Sequence, residues 1–206
     1  MADLMDPRYS DEDGEFAVKT ARKVIEEYLS SRKVYRPEKY PKKFEEKAGV
    51  FTTLRHHPSR ELRGCIGIPE PIMPLIDALI RSAISAATED PRFIPVDLEE
   101  MNQITVEVSL LTPPEKIVVK DPKEYPSKIK VGRDGLIIRR GFYSGLLLPQ
   151  VAVEYGWSEE EFLAHTCWKA GLNMDCWLLE GTEIYKFQAE IFEEEEPRGR
   201  IKRLEI

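Results

Sequence analysis

The chain has 206 residues, enough for one large domain or two small subdomains sharing a core, and enough to fold without a disulfide or metal staple. Its 42% apolar and 33% charged residues are the composition of a soluble globular protein, not of a disordered or collagen-like one. Lysine plus arginine number 30 against 37 aspartates and glutamates, and the resulting net charge of -7 opposes the positive field that a non-specific nucleic-acid binder needs.

The N-terminus, MADLMDPRYSDEDGEF, is acidic and has no apolar core of a leader. No stretch approaches about 20 uninterrupted apolar residues, so no membrane span is expected. Cys65, Cys167 and Cys176 are too few and too scattered for a disulfide framework. An odd count without a leader predicts reduced thiols in a cytoplasmic protein.

In chain order, Asp11 is placed to cap a first helix that runs to about Leu29 with the apolar spacing of an amphipathic one. Ala17, Ala21, Val24 and Tyr28 share one side, and Arg22, Lys23, Glu26 and Glu27 take the wet side. A charged connector broken by Pro37 and Pro41 follows. GVFTTL (Gly49–Leu54) and LRGCIGI (Leu62–Ile68) read as paired strands. Pro74 opens a helix to about Thr88 that is apolar nearly all round and therefore interior. ITVEVSL (Ile104–Leu110) alternates cleanly and is a strand with Ile104, Val106, Val108 and Leu110 on one face.

Asp134-Gly135 signals a tight turn before LIIRR, and Gly141 to Gly145 separates that run from LLLP, giving a hairpin or small meander over Val131–Leu148. Pro149 opens a short helical stretch. Ser158 and Glu161 form a capping box for a further helix ending near Gly171, with Trp157 placed to staple on Phe162. Trp157, Trp168 and Trp177 suit a packed core. Thr182–Phe192 is a last strand, and the acidic and basic blocks after it (Glu193–Glu196, then Arg198 to Arg203) nearly cancel, as in a solvated terminus. Antiparallel hairpins with segregated helices predict an α+β fold, and the order of elements hints at an internal duplication.

LRGCIG is the most suggestive stretch for chemistry. On a strand, Arg63, Cys65 and Gly67 share a face, with the Cα atoms of Arg63 and Cys65 about 6.7 Å apart. A guanidinium at that range favours thiolate, and Gly67 leaves room beside the pair for a small molecule. The competing reading is a buried, inert cysteine with an arginine reaching solvent. Asp90, Arg92 and Phe93 stand in a proline-bounded loop that either clamps an anionic ligand or holds an Asp90–Arg92 structural pair with Phe93 in the core. No C-x-x-C or H-x-x-x-H occurs. Adjacent His56 and His57 point to opposite faces of an extended chain, and His165 and Cys167 diverge by about 200° on a helix, so neither a metal site nor a cofactor is expected.

Taken together, the motifs resemble one family. LRGCIG (Leu62–Gly67), DPRFIPV (Asp90–Val96), VSLLTPP (Val108–Pro114), GRDGLII (Gly132–Ile138), LLLPQVAVEYGW (Leu146–Trp157) and CWKAGL (Cys167–Leu172) look like the AMMECR domain, over about Ala17 to Phe192. The resemblance implies a single α+β domain spanning residues 1–206. Its sheet would be mostly antiparallel and barrel-like, with a larger subdomain holding both termini and a smaller middle one. The family brings no established reaction, and therefore no catalytic residues. By association it implies a Memo-type partner and a radical-SAM protein partner. Its eukaryotic members need not keep a cysteine where Cys167 stands, which assigns Cys167 to packing and leaves Cys65, with Arg63, as the catalytic candidate. Gly67, Asp90, Arg92 and Phe93 are the ligand-binding candidates. Two functions compete: a small-molecule or partner-binding cleft with cysteine-dependent activity, and a non-enzymatic interaction module acting with a Memo-type partner.

Overall fold

The computed structural model describes residues 8–205. Residues 1–7, and with them the start of the acidic N-terminal segment, lie outside that range. The described chain forms two compact units, one from the residues up to Leu111 together with Glu190–Glu205, the other Thr112–Ala189. The fold is α+β, as predicted, with antiparallel strand pairs and flanking helices. Among the described residues no helix is long and apolar enough to cross a membrane.

The first unit begins with α1 (Asp11–Ser31). Its cap is Ser10 rather than Asp11. The Ser10 hydroxyl accepts the Asp13 N–H while the Asp13 carboxylate accepts the Ser10 N–H. Three acids in the first turn add favourable charge at the positive end of the helix dipole. Strands β1 (Val50–His56), β2 (Leu62–Ile68) and β3 (Ile104–Leu111) lie in the order β2-β1-β3, with β2 at the edge. Helix α2 (Leu75–Thr88) is buried on most positions, as its composition predicts, and packs with α1 against this sheet. Val50, Leu54, Val106, Val108 and Leu110 from the strands meet Leu75, Leu79 and Ala83 from α2 and Ala21 and Val24 from α1 in one core. Gly64 lets α2 sit close, because a Cβ there would stand 2.2 Å from the Ala86 carbonyl oxygen.

Two expectations fail in this unit. Arg22 is buried, not wet: its Nη2 meets Glu194 and the Ile104 carbonyl, each at 2.5 Å, its Nε meets Glu194 as well, and its Nη1 reaches the Met101 carbonyl and Glu26. The region after the last predicted strand is not a solvated terminus either. Strand β7 runs Glu183–Glu194, β8 (Ile201–Leu204) pairs with its end, and Glu193 and Glu194 are both buried. Helical spacing marks the apolar stripe but cannot announce that one arginine on its border has a buried carboxylate waiting 172 residues away.

In the second unit β5 (Asp134–Arg140) pairs with β6 (Tyr143–Leu147) and with the first part of β7, and β4 (Glu115–Lys116) joins β7. The turn between β5 and β6 falls at Gly141-Phe142, with Gly141 at φ 59°, in the break expected from Gly141 to Gly145, whereas Asp134-Gly135 are already strand and make no tight turn. Helices α3 (Tyr125–Lys128), α4 (Pro149–Glu154) and α5 (Glu159–Lys169) cover the core, and α5 carries the predicted Ser158–Glu161 capping box. Trp157 stacks flat on His165, with ring centroids 3.8 Å apart, and Trp168 is exposed rather than packed. The prediction of reduced thiols is also corrected. Cys167 and Cys176, both buried, form a disulfide with Cα atoms 5.9 Å apart. The compartment rule weighs only cysteine count and context, whereas here α5 and the following turn bring the two side chains together inside one core.

Candidate functional site

Strand alternation works as expected on β2. Gly64 and Ile66 face α2, and Arg63, Cys65 and Gly67 face the other way. The β1–β2 and β1–β3 registers extend that face into rows: Gly67, Phe51 and Ser109; Cys65, Thr53 and Glu107; then Arg55 and Thr105, where a bulge at Leu54/Arg55 sets Arg55 opposite Leu62 and leaves Arg63 outside the register. The middle row carries a thiol, a hydroxyl and a carboxyl on three adjacent strands, each directly opposite the next. The Thr53 hydroxyl donates to Cys65 Sγ at 3.3 Å.

Arg63 does not act on the thiol. Its Nε and Nη2 each meet a Glu100 carboxylate oxygen at 3.0 Å, its Nη1 donates to the Ile94 carbonyl, and its side chain is buried. Burial pushes the Cys65 thiol above its ordinary pKa. The Glu107 and Asp90 charges push the same way, against the Thr53 hydrogen bond and Arg92. The expected thiolate-favouring guanidinium is therefore corrected: Arg63 faces a carboxylate and a carbonyl that bind it directly, and its charge is matched there. The room expected beside Gly67 is also filled, because a Cβ there would sit 2.2 Å from the Phe51 ring that lies across the strand.

Asp90 and Arg92 form the structural pair. Arg92 Nε and Nη2 reach the two Asp90 carboxylate oxygens at 2.9 and 2.7 Å. The pair then docks on the edge strand: Asp90 accepts the Cys65 N–H at 2.8 Å, and Arg92 Nη2 donates to the Cys65 carbonyl at 3.4 Å. Arg92 beside it holds the buried Asp90 carboxyl well below the usual carboxylate range. Arg63 likewise lowers Glu100. Phe93 is half-buried, with the Arg63 and Arg92 guanidinium carbons 5.9 and 5.6 Å from its ring centre. Thus LRGCIG and DPRFIPV, 25 residues apart at the Cys65–Asp90 contact, interlock through ion pairs and backbone hydrogen bonds.

Four further groups on this surface escaped sequence reasoning. Glu107 is buried, and burial raises its carboxyl pKa despite Arg55, whose Nε lies 3.3 Å away. Glu193, also buried, takes both terminal nitrogens of Arg60 at 3.2 and 2.7 Å. The signal for Glu107 was present in ITVEVSL: a glutamate between Thr105 and Ser109 on the face opposite the valines. Alternation alone reads that face as wet, whereas here all of β3 is buried. His56 is not brought to Cys65. It lies three residues beyond Thr53 on the opposite face of β1, and His165 belongs to the second unit. Among the described residues no group of three or more His, Cys, Asp or Glu is placed to hold a metal ion.

Comparison with known proteins gives this arrangement its context. Protein MJ0810 of Methanocaldococcus jannaschii is 66% identical over 190 residues, covering 92% of this chain and 94% of that one. Protein PF1979 of Pyrococcus furiosus is 62% identical over 200 residues, covering 95% of each. The crystal structure of uncharacterized protein PH0010 from Pyrococcus horikoshii superposes with a TM-score of 0.89 at 60% identity, over 96% of this chain and 99% of that one. The AMMECR1 family model matches residues 18–192, a span that holds both interlocked motifs, and the chain belongs to that family.

Proposed function

We propose that the face of β2, β1 and β3 around Cys65 binds a small molecule, with the neutral thiol, the Thr53 hydroxyl and the Glu107 carboxyl as its polar contacts. The observation that carries this reading is the row itself. A half-buried thiol stands in line with a hydroxyl and a buried carboxyl, on a strand whose backbone Asp90 and Arg92 clamp at that very residue. A rigid backbone with a few convergent polar groups is what small-ligand recognition requires. Cysteine-dependent chemistry here needs a proton acceptor, and Glu107, whose carboxyl pKa burial raises, is one of the groups whose charge acts on the thiol, with Asp90 and Arg92.

Arg63 and Arg92 each hold a carboxylate, so an anionic ligand would have to displace Glu100 or Asp90. Parallel alkylation of Cys65 by neutral iodoacetamide and anionic iodoacetate tests this. The reading expects no preference for the anion beyond the reagents' intrinsic reactivity, and a marked preference for iodoacetate would contradict it.

A second reading, an interaction module for a Memo-type partner, is favoured by exposed aromatic side chains in the second unit. Phe142 at the β5–β6 turn is fully exposed and Trp168 on α5 is 69% exposed. Co-purification separates the two. Loss of a Memo-type partner in Trp168→Ala but not in Cys65→Ala supports the module, and the reverse pattern supports a cysteine-centred site.

A further inference from the structure

The DPRFIPV loop closes only part of the β2 edge. Cys65 turns its N–H and C=O outward, to Asp90 and Arg92. Backbone groups alternate sides along an antiparallel strand, and the register runs unbroken from Leu54↔Gly64 to Val50↔Ile68. Gly67, two residues on, therefore presents its N–H and C=O to the same outer edge. Among the described residues neither group has a hydrogen-bond partner. Beneath this edge lies a cleft of about 400 Å³ between β2 and α2. Ile66, Ile68, Ile72 and Met73 give it apolar walls, and Ile72 is 61% exposed. Arg81 of α2 lines the same cleft together with Glu70 and Glu89, and Glu89 accepts the Ser85 hydroxyl. The Arg81 side chain is exposed and makes no ion pair or hydrogen bond among the described residues.

The open edge is short. The Asp90–Arg92 clip occupies it at Cys65, and Pro69 and Pro71, which have no N–H, end it on the other side. A long strand would run into the clip, but the last few residues of a chain would not. We propose that this cleft binds the C-terminal end of a polypeptide. The peptide backbone pairs with Gly67 as an added strand. An apolar side chain enters between Ile66, Ile68 and α2, and the terminal carboxylate meets the Arg81 guanidinium. The three requirements are an extended backbone, one apolar side chain and a nearby negative charge, and a chain terminus supplies all three within a few residues.

The test uses ¹⁵N-labelled full-length protein and two probes: a degenerate pool of hexapeptides with free C-terminal carboxylates, and the same pool C-terminally amidated. The free-acid pool is expected to shift the Gly67 amide saturably together with Ile68 and Arg81. Amidation or Arg81→Ala is expected to weaken that response about tenfold, the worth of one charge-assisted contact. Arg81 is exposed, so its removal leaves the fold intact for comparison. A Gly67 amide unmoved at millimolar peptide, or moved equally by both pools, overturns the proposal. Cys65→Ser is expected to leave the peptide response unchanged whatever the fate of the small-molecule reading.

Discussion

The buried carboxylate of Asp90 accepts the backbone N–H of Cys65 at 2.8 Å, on the side of β2 where a neighbouring strand would otherwise pair. Arg92 completes the imitation by donating to the Cys65 carbonyl. One ion pair thus satisfies the edge-strand donor and acceptor of the residue whose thiol faces the candidate site, and blunts the edge against association there.

Asp90→Asn is expected to destabilise the first unit by about 2 kcal/mol, because it removes the charged acceptor for both Arg92 and the Cys65 N–H. The pH dependence has a fixed sign. The folded Asp90 pKa is depressed, so its contribution is present above the ordinary aspartate pKa and fades as pH falls through and below that range. Denaturant titrations at neutral and strongly acidic pH check this: the gap between wild type and Asp90→Asn should narrow in acid.

Gly64→Ala is expected to cost at least about 3 kcal/mol, since the new methyl would meet the Ala86 carbonyl of α2 at 2.2 Å and backbone cannot yield cheaply. Gly67→Ala meets the Phe51 side chain at a similar distance, and a ring can rotate away. Thermal unfolding of the two variants should therefore rank Gly64→Ala as the more damaging.

These two glycines show what sequence reading could reach. Strand alternation placed Arg63, Cys65 and Gly67 on one face correctly, because a period of two follows from backbone geometry alone. What Arg63 and Gly67 meet there depends on Glu100 and Phe51, which enter by tertiary packing. The helix that follows LRGCIGI was legible as interior because its apolar residues wrap the whole surface. Arg22 and Glu194 were misread as solvent-facing for the converse reason: a buried ion pair leaves no local pattern. The Cys167–Cys176 disulfide was equally hidden, since nine residues of separation fit many geometries.

Glu107→Gln is expected to stabilise the protein at pH 8 and to leave it unchanged near pH 4. Burial raises the folded Glu107 pKa, so the native carboxyl is well tolerated at low pH and becomes costly as pH climbs through its folded pKa. Tm measured at both pH values checks the sign. The same variant should lower the apparent pKa of Cys65, whose thiol the Glu107 charge holds up.

Reduction of the Cys167–Cys176 bond is expected to cost the second unit roughly 2–3 kcal/mol, the loop-closure worth of so short a ring. Unfolding with and without a thiol reductant measures it, and a Cys167→Ala/Cys176→Ala double variant should match the reduced protein without responding to reductant.

The neutrality of the Cys65 thiol is tested most directly by its iodoacetamide alkylation rate across pH, measured with the disulfide intact so that a single thiol reports. An apparent pKa above about 8.5, the free-cysteine value, rising in Thr53→Val and falling in Glu107→Gln, is the result this account predicts. An apparent pKa well below that value, restored to normal by Arg63→Gln, would show that the guanidinium activates the sulfur after all and would contradict it.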